Sequence, residues 1–289
     1  MCDLQSLTAA WVAERLPKRA ADSNKGSFGR VVALAGSMRY RGAAALCVEG
    51  ALRGGAGLVY LAAPEAVLQL VLTRTPECCA LPCAADAAGE ILPASAAKVC
   101  AKVRNEHTVL LIGPGLGSGA AGMLRHLLPL GWPGTVLDAD ALNALATGLA
   151  VPLPERCILT PHPGEMARLL GCTVEEVQAD RPAAVRACAE KFGCVAVLKD
   201  SGTLITAPNA PLLRNDTGNP GLARGGSGDV LAGLIAALLA QGLTPLDAAA
   251  CGVYLHGAAA DVCAAKTHPM TMLPQDLFAA LPDVLRGLP

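Results

Sequence analysis

The stretch Gly225-Gly226-Ser227-Gly228-Asp229 runs directly into an uninterrupted apolar segment at residues 230–240. Closely spaced glycines let several backbone N–H groups converge, and the start of the following helix adds a partial positive charge at the same point. The pattern predicts an anion pocket that suits phosphate. Asp229 is unfavourable beside a phosphate unless it transfers a proton or helps to hold a metal ion. The alternative is that Asp229 only interacts with the helix dipole.

Upstream of that helix, short apolar runs rich in β-branched residues alternate with longer segments rich in alanine and leucine. Near-continuous apolar strands separated by helix-length segments predict a mainly parallel sheet covered on both faces, hence an α/β protein. After Lys199 the rhythm changes, because two short runs at 203–207 and 212–215 flank the turn-forming residues 208–211. These predict a hairpin and an antiparallel sheet edge. The parallel strands are predicted at residues 31–35, 58–62, 109–112, 135–137, 157–159 and 195–198.

The C-terminal part is predicted to be helical, at residues 230–241 and 244–264. Thr244, followed by Pro245 and Asp247, is a favourable start for the second of these helices. No long stretch of Ser, Gly, Pro or like charge divides the chain, so we predict a single domain over residues 1–289. The weak periodicity of residues 77–103 leaves their secondary structure open.

Composition excludes several classes of partner. The 23 Lys and Arg residues nearly balance the 24 Asp and Glu residues, and no basic run occurs, so binding to nucleic acid or to an anionic membrane has no electrostatic basis. The 2 Trp, 3 Tyr and 3 Phe are too few for a base-stacking platform. The longest apolar stretch is shorter than a transmembrane helix, and the first residues lack the order of a signal peptide. We therefore expect a cytoplasmic protein.

The cysteines and histidines indicate neither disulfides nor a zinc site. The 12 cysteines are scattered, and no C-x-x-C motif occurs. The 5 histidines form no H-x-x-H or H-E-x-x-H motif that could start a zinc site. We expect the thiols, from Cys2 to Cys263, to act mainly as small core residues.

A family resemblance rests on the polar loop at residues 215–221 and on the Gly225–Asp229 segment that follows it. Together they resemble the phosphate-handling core of the ribokinase-like superfamily. Further segments, in the same order, make the chain similar to the ADP- or ATP-dependent NAD(P)H-hydrate dehydratase family over roughly residues 20–280. These segments are Lys25-Gly26-Ser27-Phe28-Gly29, Ala35-Gly36-Ser37, Gly42-Ala43-Ala44, Gly54-Gly55-Ala56-Gly57, Gly113-Pro114-Gly115-Leu116-Gly117, Asp138-Ala139-Asp140-Ala141-Leu142-Asn143, Thr160-Pro161-His162-Pro163-Gly164-Glu165 and Lys199 to Thr203.

The resemblance implies a three-layer α/β/α fold and a role for each motif. Asp229 would take a proton from the substrate hydroxyl, and Glu165 would help to position Mg²⁺ through water. The hydrated dinucleotide would contact Ala43, Gly115, Gly117, Asn143, His162 and Asp229. The nucleotide, ADP or ATP, would contact Lys199, Asp200, Ser201, Gly202, Thr203, Asn215, Thr217, Gly225, Gly226, Ser227 and Gly228.

The implied reaction is the dehydration of the S-epimer of hydrated NADH or NADPH, coupled to ADP or ATP hydrolysis. The resemblance also implies a homo-oligomer. Fewer than 30 residues precede Gly26, so we expect the epimerase domain of some relatives to be absent. The choice between ADP and ATP, the choice between NADH and NADPH hydrate, and the role of Arg224 stay open.

Two other enzyme classes are alternatives, and a third alternative is a non-catalytic nucleotide-binding protein, which would bind ADP without turnover. A small-alcohol kinase of the same superfamily, acting on a hydroxymethylpyrimidine or a hydroxyethylthiazole, would share Asp229 but release a phosphorylated product. Residues 115–120 also satisfy the dinucleotide fingerprint G-x-G-x-x-A, with Asp138 and Asp140 about 20 residues later. That pattern favours an NAD-dependent oxidoreductase, but it lies after two earlier strands and leaves Asp229 unexplained.

Overall fold

The central sheet of the computed structural model, which describes residues 4–289, contains ten strands. In chain order they are β1 (Leu4–Ser6), β2 (Arg30–Leu34), β3 (Leu58–Ala63), β4 (Cys79–Pro82), β5 (Thr108–Ile112), β6 (Gly134–Leu137), β7 (Cys157–Leu159), β8 (Val195–Leu198), β9 (Thr203–Thr206) and β10 (Leu212–Asn215). Across the sheet the order is β1-β10-β9-β8-β7-β6-β5-β2-β3-β4.

The described residues also form twelve α-helices. They are α1 (Ala9–Ala13), α2 (Arg41–Arg53), α3 (Glu65–Arg74), α4 (Pro93–Ala101), α5 (Ala120–Leu127), α6 (Asp140–Ala146), α7 (Pro163–Leu170), α8 (Val174–Ala179), α9 (Arg181–Phe192), α10 (Ser227–Ala240), α11 (Pro245–Lys266) and α12 (Asp276–Arg286). Short 3₁₀ turns lie at Lys25–Phe28, Gly117–Gly119, Leu128–Leu130 and Pro220–Leu222.

Alternate residues of the strands enter two separate hydrophobic cores, one on each face of the sheet. Val31 and Ala33 pack with α2, α10, α11 and α12, whereas Val32 and Leu34 pack with α5, α6, α7 and α9. Because the parallel strands are buried on both faces, their sequences are nearly continuous apolar runs. The prediction of a three-layer α/β/α architecture is therefore confirmed.

The predicted hairpin is present, but it does not form the edge of the sheet. β9 pairs antiparallel with both β8 and β10, and every other pairing is parallel. β1 adds parallel to β10, with Leu4 opposite Leu212, and so becomes the edge strand. No apolar pattern marks β1, because its three residues are all exposed. The open segment 77–103 contains β4, which extends the other edge, and α4.

Two helix predictions also have clear outcomes. Thr244 caps α11 by accepting a hydrogen bond from the Asp247 amide, as expected. α10 begins at Ser227, three residues before the predicted start, so that Asp229 lies within its first turn.

α11 is long and apolar enough to cross a membrane by composition, but 67% of its most apolar window is buried within the fold, as in the core helix of a soluble protein.

The cysteines of the described part of the chain are free thiols, and all except Cys79 and Cys172 are buried. This agrees with the expectation that they act mainly as small core residues. Burial raises the pKa of Cys78, Cys83 and Cys100 to about 12, which makes their thiolate forms rare at neutral pH. Cys2 lies outside the described residues.

Helices α2 and α10 approach each other through glycines, and we expect Gly233→Ala to separate them. A Cβ on Gly233 would lie 2.2 Å from the Cys47 carbonyl oxygen and 2.8 Å from the Ala51 nitrogen. Overpacking of this kind should lower the free energy of unfolding by about 2 kcal/mol. Urea unfolding would measure the change. Gly42→Ala is the control, because a Cβ there meets no atom within 4 Å; equal stabilities of the two variants would contradict the prediction.

Candidate active site

A cavity of about 730 Å³ opens at the carboxyl edge of the sheet. Its walls are formed by residues that follow β6, β7, β8 and β10, together with the first turn of α10. Because β9 alone runs in the opposite direction, the ends of these four strands meet at one edge. Ligands of open α/β sheets bind in crevices at this edge.

The start of α10 has the geometry of an anion pocket. Gly226 is the N-cap residue with φ of 98°, a left-handed conformation that glycine adopts without strain. The amides of Gly228 and Asp229 belong to the first helical turn, where backbone N–H groups have no acceptor within the helix. The Ser227 amide is instead directed at the Arg224 carbonyl oxygen, 3.3 Å away. Gly228 and Asp229 are therefore the helical donors that remain for the predicted anion pocket, which we call the nest.

Asp229 lines the cavity at the same helix start as the nest. Burial, and to a smaller extent the neighbouring Asp138 carboxylate, raise the pKa of its carboxyl to about 7 against the opposing effect of Lys199. A carboxyl with this pKa is close to half ionised at neutral pH. Such a group is suited to accept a proton at physiological pH.

Lys199 forms ion pairs with two buried carboxylates that line the cavity, those of Asp138 and Glu165. Its Nζ lies 2.7 Å from Asp138 Oδ1 and 3.9 Å from Glu165 Oε2. Burial lowers the pKa of the ammonium, but the carboxylates of Asp138 and Glu165 outweigh that effect and raise it. Asp138 Oδ1 also accepts a hydrogen bond of 2.7 Å from the Thr160 hydroxyl. A Cβ on Gly228 would lie 3.5 Å from Lys199 Nζ, so the ammonium faces the nest.

His162 and Glu165 cap α7 reciprocally. The His162 Nδ1 atom accepts from the amides of Gly164 and Glu165, and the Glu165 Oε2 atom accepts from the His162 amide at 2.9 Å. With Nδ1 acting as acceptor, the neutral ring carries its proton on Nε2, which is 3.5 Å from Glu165 Oε1. Burial lowers the pKa of His162, and Lys199 lowers it further. Both residues line the cavity.

The residues predicted to contact the nucleotide all line this cavity. The turn from Lys199 to Thr203 is supported from outside by Arg181, whose guanidinium donates to the carbonyls of Ser201 and Gly202 at 2.8 Å each. The loop at residues 215–221, which we call the nucleotide loop, begins with a reciprocal pair. Asn215 Nδ2 donates to the Thr217 carbonyl, and the Thr217 hydroxyl donates to Asn215 Oδ1.

Four residues predicted to contact the dinucleotide lie outside this cavity lining: Ala43, Gly115, Gly117 and Asn143. A Cβ on Gly115 would lie 3.0 Å from the Ala43 Cβ, so these two residues are neighbours. They follow β5 and β2, the pair between which the chain order reverses, and this switch point is the usual ligand crevice of such sheets. Gly117 donates its amide to Asp140 Oδ2 at 2.8 Å, and Asn143 accepts from Arg168.

Arg224, whose role the sequence left open, donates from Nη2 to the Met270 carbonyl at 2.8 Å while lining the cavity. Two further residues that sequence reasoning did not assign to this site are Asp138 as the partner of Lys199, and His256. Asp138 was visible in the sequence as part of a family segment and of a dinucleotide fingerprint, but not as the partner of Lys199, which lies 61 residues away. His256 lies within an apolar helix and is 7% exposed, yet it lines the cavity.

Stability should depend on pH through His256. Burial lowers its pKa, the backbone of Ser227 opposes that shift and Lys199 adds to it, which leaves the pKa at about 4. The unfolded chain protonates this histidine near pH 6.5, but the folded protein only near pH 4, so the contribution of His256 to stability falls as pH falls through this window. That contribution should approach about 3 kcal/mol. Because His256→Gln removes it, between pH 6.5 and pH 4 the free energy of unfolding of this variant should fall less, or rise more, than that of His126→Gln, which changes an exposed histidine; parallel curves would contradict this.

The cavity suits a magnesium ion that is bound together with phosphate. Among residues 4–289, no three His, Cys, Asp or Glu side chains form a metal-binding group by themselves. Mg²⁺ usually takes one or two carboxylates, with substrate phosphates and water as its other ligands. Asp138 and Glu165 both line the cavity that contains the nest. Burial raises the pKa of Glu165 to about 7, so a nearby cation would favour its ionised form.

The fold and the sequence both have close relatives. The model of the NAD(P)H-hydrate dehydratase family matches residues 31–283. The bifunctional NAD(P)H-hydrate repair enzyme Nnr of Moorella thermoacetica is 43% identical over 286 residues, covering 98% of this chain and 54% of the relative. The ADP-dependent (S)-NAD(P)H-hydrate dehydratase of Neisseria meningitidis is 43% identical over 257 residues, covering 84% of this chain and 80% of the relative.

A solved structure covers nearly the whole chain. The ADP/ATP-dependent NAD(P)H-hydrate dehydratase of Bacillus subtilis, co-crystallised with ATP and Mg²⁺, has a TM-score of 0.84 and 33% identity, and 99% of each chain is covered. A ribokinase-like superfamily protein of Enterococcus faecalis also has a TM-score of 0.84, with 30% identity, covering 98% of this chain and 95% of that one.

The protein thus has a ribokinase-like α/β/α fold with a nucleotide-sized cavity at the carboxyl edge of its sheet. Because the family model matches well over half of its residues, the chain belongs to the NAD(P)H-hydrate dehydratase family. The chain spans about half the length of the bifunctional relatives it matches.

Proposed function

We propose that this protein dehydrates the S-epimer of hydrated NADH or NADPH and couples the dehydration to hydrolysis of ADP or ATP. The observation that carries the proposal is the position of Asp229. Its carboxyl, with a pKa of about 7, lies in the first turn of α10 beside the nest, within the cavity. Transfer of a phosphoryl group to a hydroxyl requires a base beside a phosphate pocket, and this helix start offers both.

The first step forms a phosphate ester. Asp229 accepts the proton of the hydroxyl on the hydrated nicotinamide ring while that oxygen attacks the terminal phosphorus of ADP or ATP. The bond from that phosphorus to its bridging oxygen breaks, and AMP or ADP leaves. The amides of Gly228 and Asp229 stabilise the negative charge that develops on the transferring group.

The second step eliminates phosphate. The ring nitrogen donates its lone pair and expels the phosphate, which is a far better leaving group than hydroxide. Transfer of a proton from the neighbouring ring carbon to water then restores the double bond of the dihydronicotinamide. The net reaction consumes one phosphoanhydride bond and releases AMP and phosphate from ADP, or ADP and phosphate from ATP.

The two ligands would occupy neighbouring parts of the carboxyl edge. We propose that the nucleotide lies along Lys199–Thr203 and the nucleotide loop. The dinucleotide would lie at the switch point beside Ala43, Gly115, Gly117 and Asn143, with the His162 Nε2–H group as a donor between the two. Asp138 and Glu165 would hold Mg²⁺, directly or through water, and when bound the ion would offset the charge of the phosphates.

The reaction can be followed directly. Purified protein is mixed with Mg²⁺, hydrated NADH and either ADP or ATP, and the return of the reduced-nicotinamide absorbance is recorded. Omission of the nucleotide should stop the reaction. A stable phosphorylated product without recovery of absorbance would instead indicate a small-alcohol kinase, and no turnover with either nucleotide would refute the proposal. The cytoplasmic location, expected from the sequence pattern, and the homo-oligomer, implied by the family resemblance, stay predictions.

A further inference from the structure

Helix α11 contacts the nucleotide loop through one of its faces. The Thr217 hydroxyl lies 3.1 Å from the Tyr254 carbonyl oxygen and shares its single proton between that oxygen and Asn215 Oδ1. Seven residues further along the helix, Asp261 Oδ2 accepts from the Gly218 amide at 2.8 Å, and Asp261 Oδ1 accepts from Asn219 Nδ2 at 3.0 Å. Residues spaced by three and four positions share a helix face, so these contacts form one line along α11.

Gly257, midway along this line, allows the loop to approach the helix backbone. A Cβ at this position would lie 2.3 Å from the Thr217 hydroxyl oxygen and 2.6 Å from its carbonyl oxygen. Neither atom belongs to a long flexible side chain that could move aside. Any larger residue at position 257 must therefore displace Thr217.

The contact of Asp261 with Asn219 is specific for a carboxylate. Asn219 Oδ1 accepts from the Gly221 amide at 3.0 Å, which fixes the orientation of the side-chain amide and directs Nδ2 at Asp261. Asp261 must accept two hydrogen bonds, one from Gly218 and one from Asn219. An asparagine at position 261 would direct its N–H groups at the Gly218 amide or at Asn219 Nδ2, both of which are donors. Otherwise Asn219 would have to rotate its side-chain amide and lose the hydrogen bond from the Gly221 amide.

From these contacts we infer that the Tyr254–Gly257–Asp261 face of α11 sets the position of the nucleotide loop and thereby the affinity for the nucleotide. The inference rests on the proposed function, since it takes this loop as the nucleotide contact. Residues 215–220 line the cavity and lead through residues 220–226 to the nest, so a displaced loop would move away from the bound phosphates. These α11 residues act as positioning residues through the loop.

A pair of glycine variants tests this inference. Gly257→Ala should weaken ADP binding at least roughly tenfold, measured by calorimetry with Mg²⁺ present, because it displaces Thr217. Gly252→Ala is the matched control. A Cβ there would lie 2.6 Å from Ile235 Cγ1, so that variant also strains α11, but against α10 and away from the loop. Its ADP affinity should stay within about twofold of wild type even if its melting temperature falls.

A second variant avoids any dependence on overpacking. Asp261→Asn should weaken ADP binding roughly fivefold, since it disturbs hydrogen bonds to a charged acceptor at an exposed site. It should raise the KM for ADP and leave the KM for the hydrated dinucleotide unchanged. Hydrogen exchange should accelerate at the Gly218 amide and not across the core. The double variant Asn219→Asp with Asp261→Asn restores a donor opposite an acceptor and should recover part of the affinity.

Either of two results would overturn the inference: ADP affinity of Gly257→Ala and Asp261→Asn within twofold of wild type, or equal losses in Gly257→Ala and Gly252→Ala. The measured quantity is the affinity for ADP, so the test does not depend on whether the protein catalyses the dehydration. A wild-type protein that binds ADP but fails to dehydrate hydrated NADH would refute the proposed function and leave the loop measurement valid.

Discussion

Replacing Asp229 with asparagine is expected to lower the rate of nucleotide-dependent dehydration by roughly 100-fold or more, which is the usual contribution of a positioned general base. Asparagine keeps the size of the side chain and cannot accept the hydroxyl proton. ADP and the hydrated dinucleotide should still bind, because the amides of the nest come from the backbone. Single-turnover absorbance measurements and calorimetry would separate the two effects.

Two further measurements make this expectation specific. The wild-type kcat/KM should fall as the pH drops below about 7, because the free enzyme then carries a protonated Asp229. Asp22→Asn, at an exposed position, is the control and should leave the rate unchanged. An Asp229→Asn variant with the wild-type rate, or with no detectable ligand binding, would contradict the role of general base.

Lys199→Met is expected to lower the free energy of unfolding by about 3 kcal/mol, the typical cost of leaving one partner of a buried ion pair alone. The Asp138 side chain is only 2% exposed and would keep the Thr160 hydroxyl as its remaining partner. We also expect a higher KM for the nucleotide, because the ammonium faces the nest. Urea unfolding at pH 7 and initial-rate kinetics would measure the two effects.

A double variant shows whether the unpaired charge is the cause. Asp138→Asn combined with Lys199→Met removes both charges, so it should be more stable than Lys199→Met alone. Lys98→Met is the control, since Lys98 is exposed on α4. If Lys199→Met were as stable as this control, the Asp138–Lys199 pair would have little structural importance.

Most of the sheet was predictable from the sequence because its strands are buried on both faces. The predicted strands at 157–159 and 195–198 agree with β7 and β8 to the residue. The two strands that the sequence pattern did not predict, β1 and β4, lie at the edges of the sheet. There one or both faces contact water, so the apolar pattern is weak. β1 is fully exposed, and β4 alternates between half-buried and exposed residues. The start of α10 was placed too late, because glycines and an aspartate are typical of loops.

The candidate site was predictable where its residues adjoin one another along the chain. The Gly225–Asp229 segment gave the nest and its carboxyl group because both belong to one helix start. The Asp138–Lys199 pair and the contact of Asp261 with the nucleotide loop join residues 61 and 43 positions apart, so no local pattern could show them. His256 was missed for another reason, since a single polar residue in an apolar helix resembles the rest of the core.

The reversal of strand order between β5 and β2 has a consequence for how the enzyme can evolve. On the proposed function, the phosphoryl donor would be bound by segments after β8 and β10 and by the start of α10, and the acceptor mainly by segments after β5 and β2. Substitutions in either half should therefore alter selectivity for one ligand independently of the other. On the proposed function, a change in preference between ADP and ATP would require changes near β8, β10 and the start of α10, without rebuilding the proposed crevice for the hydrated dinucleotide.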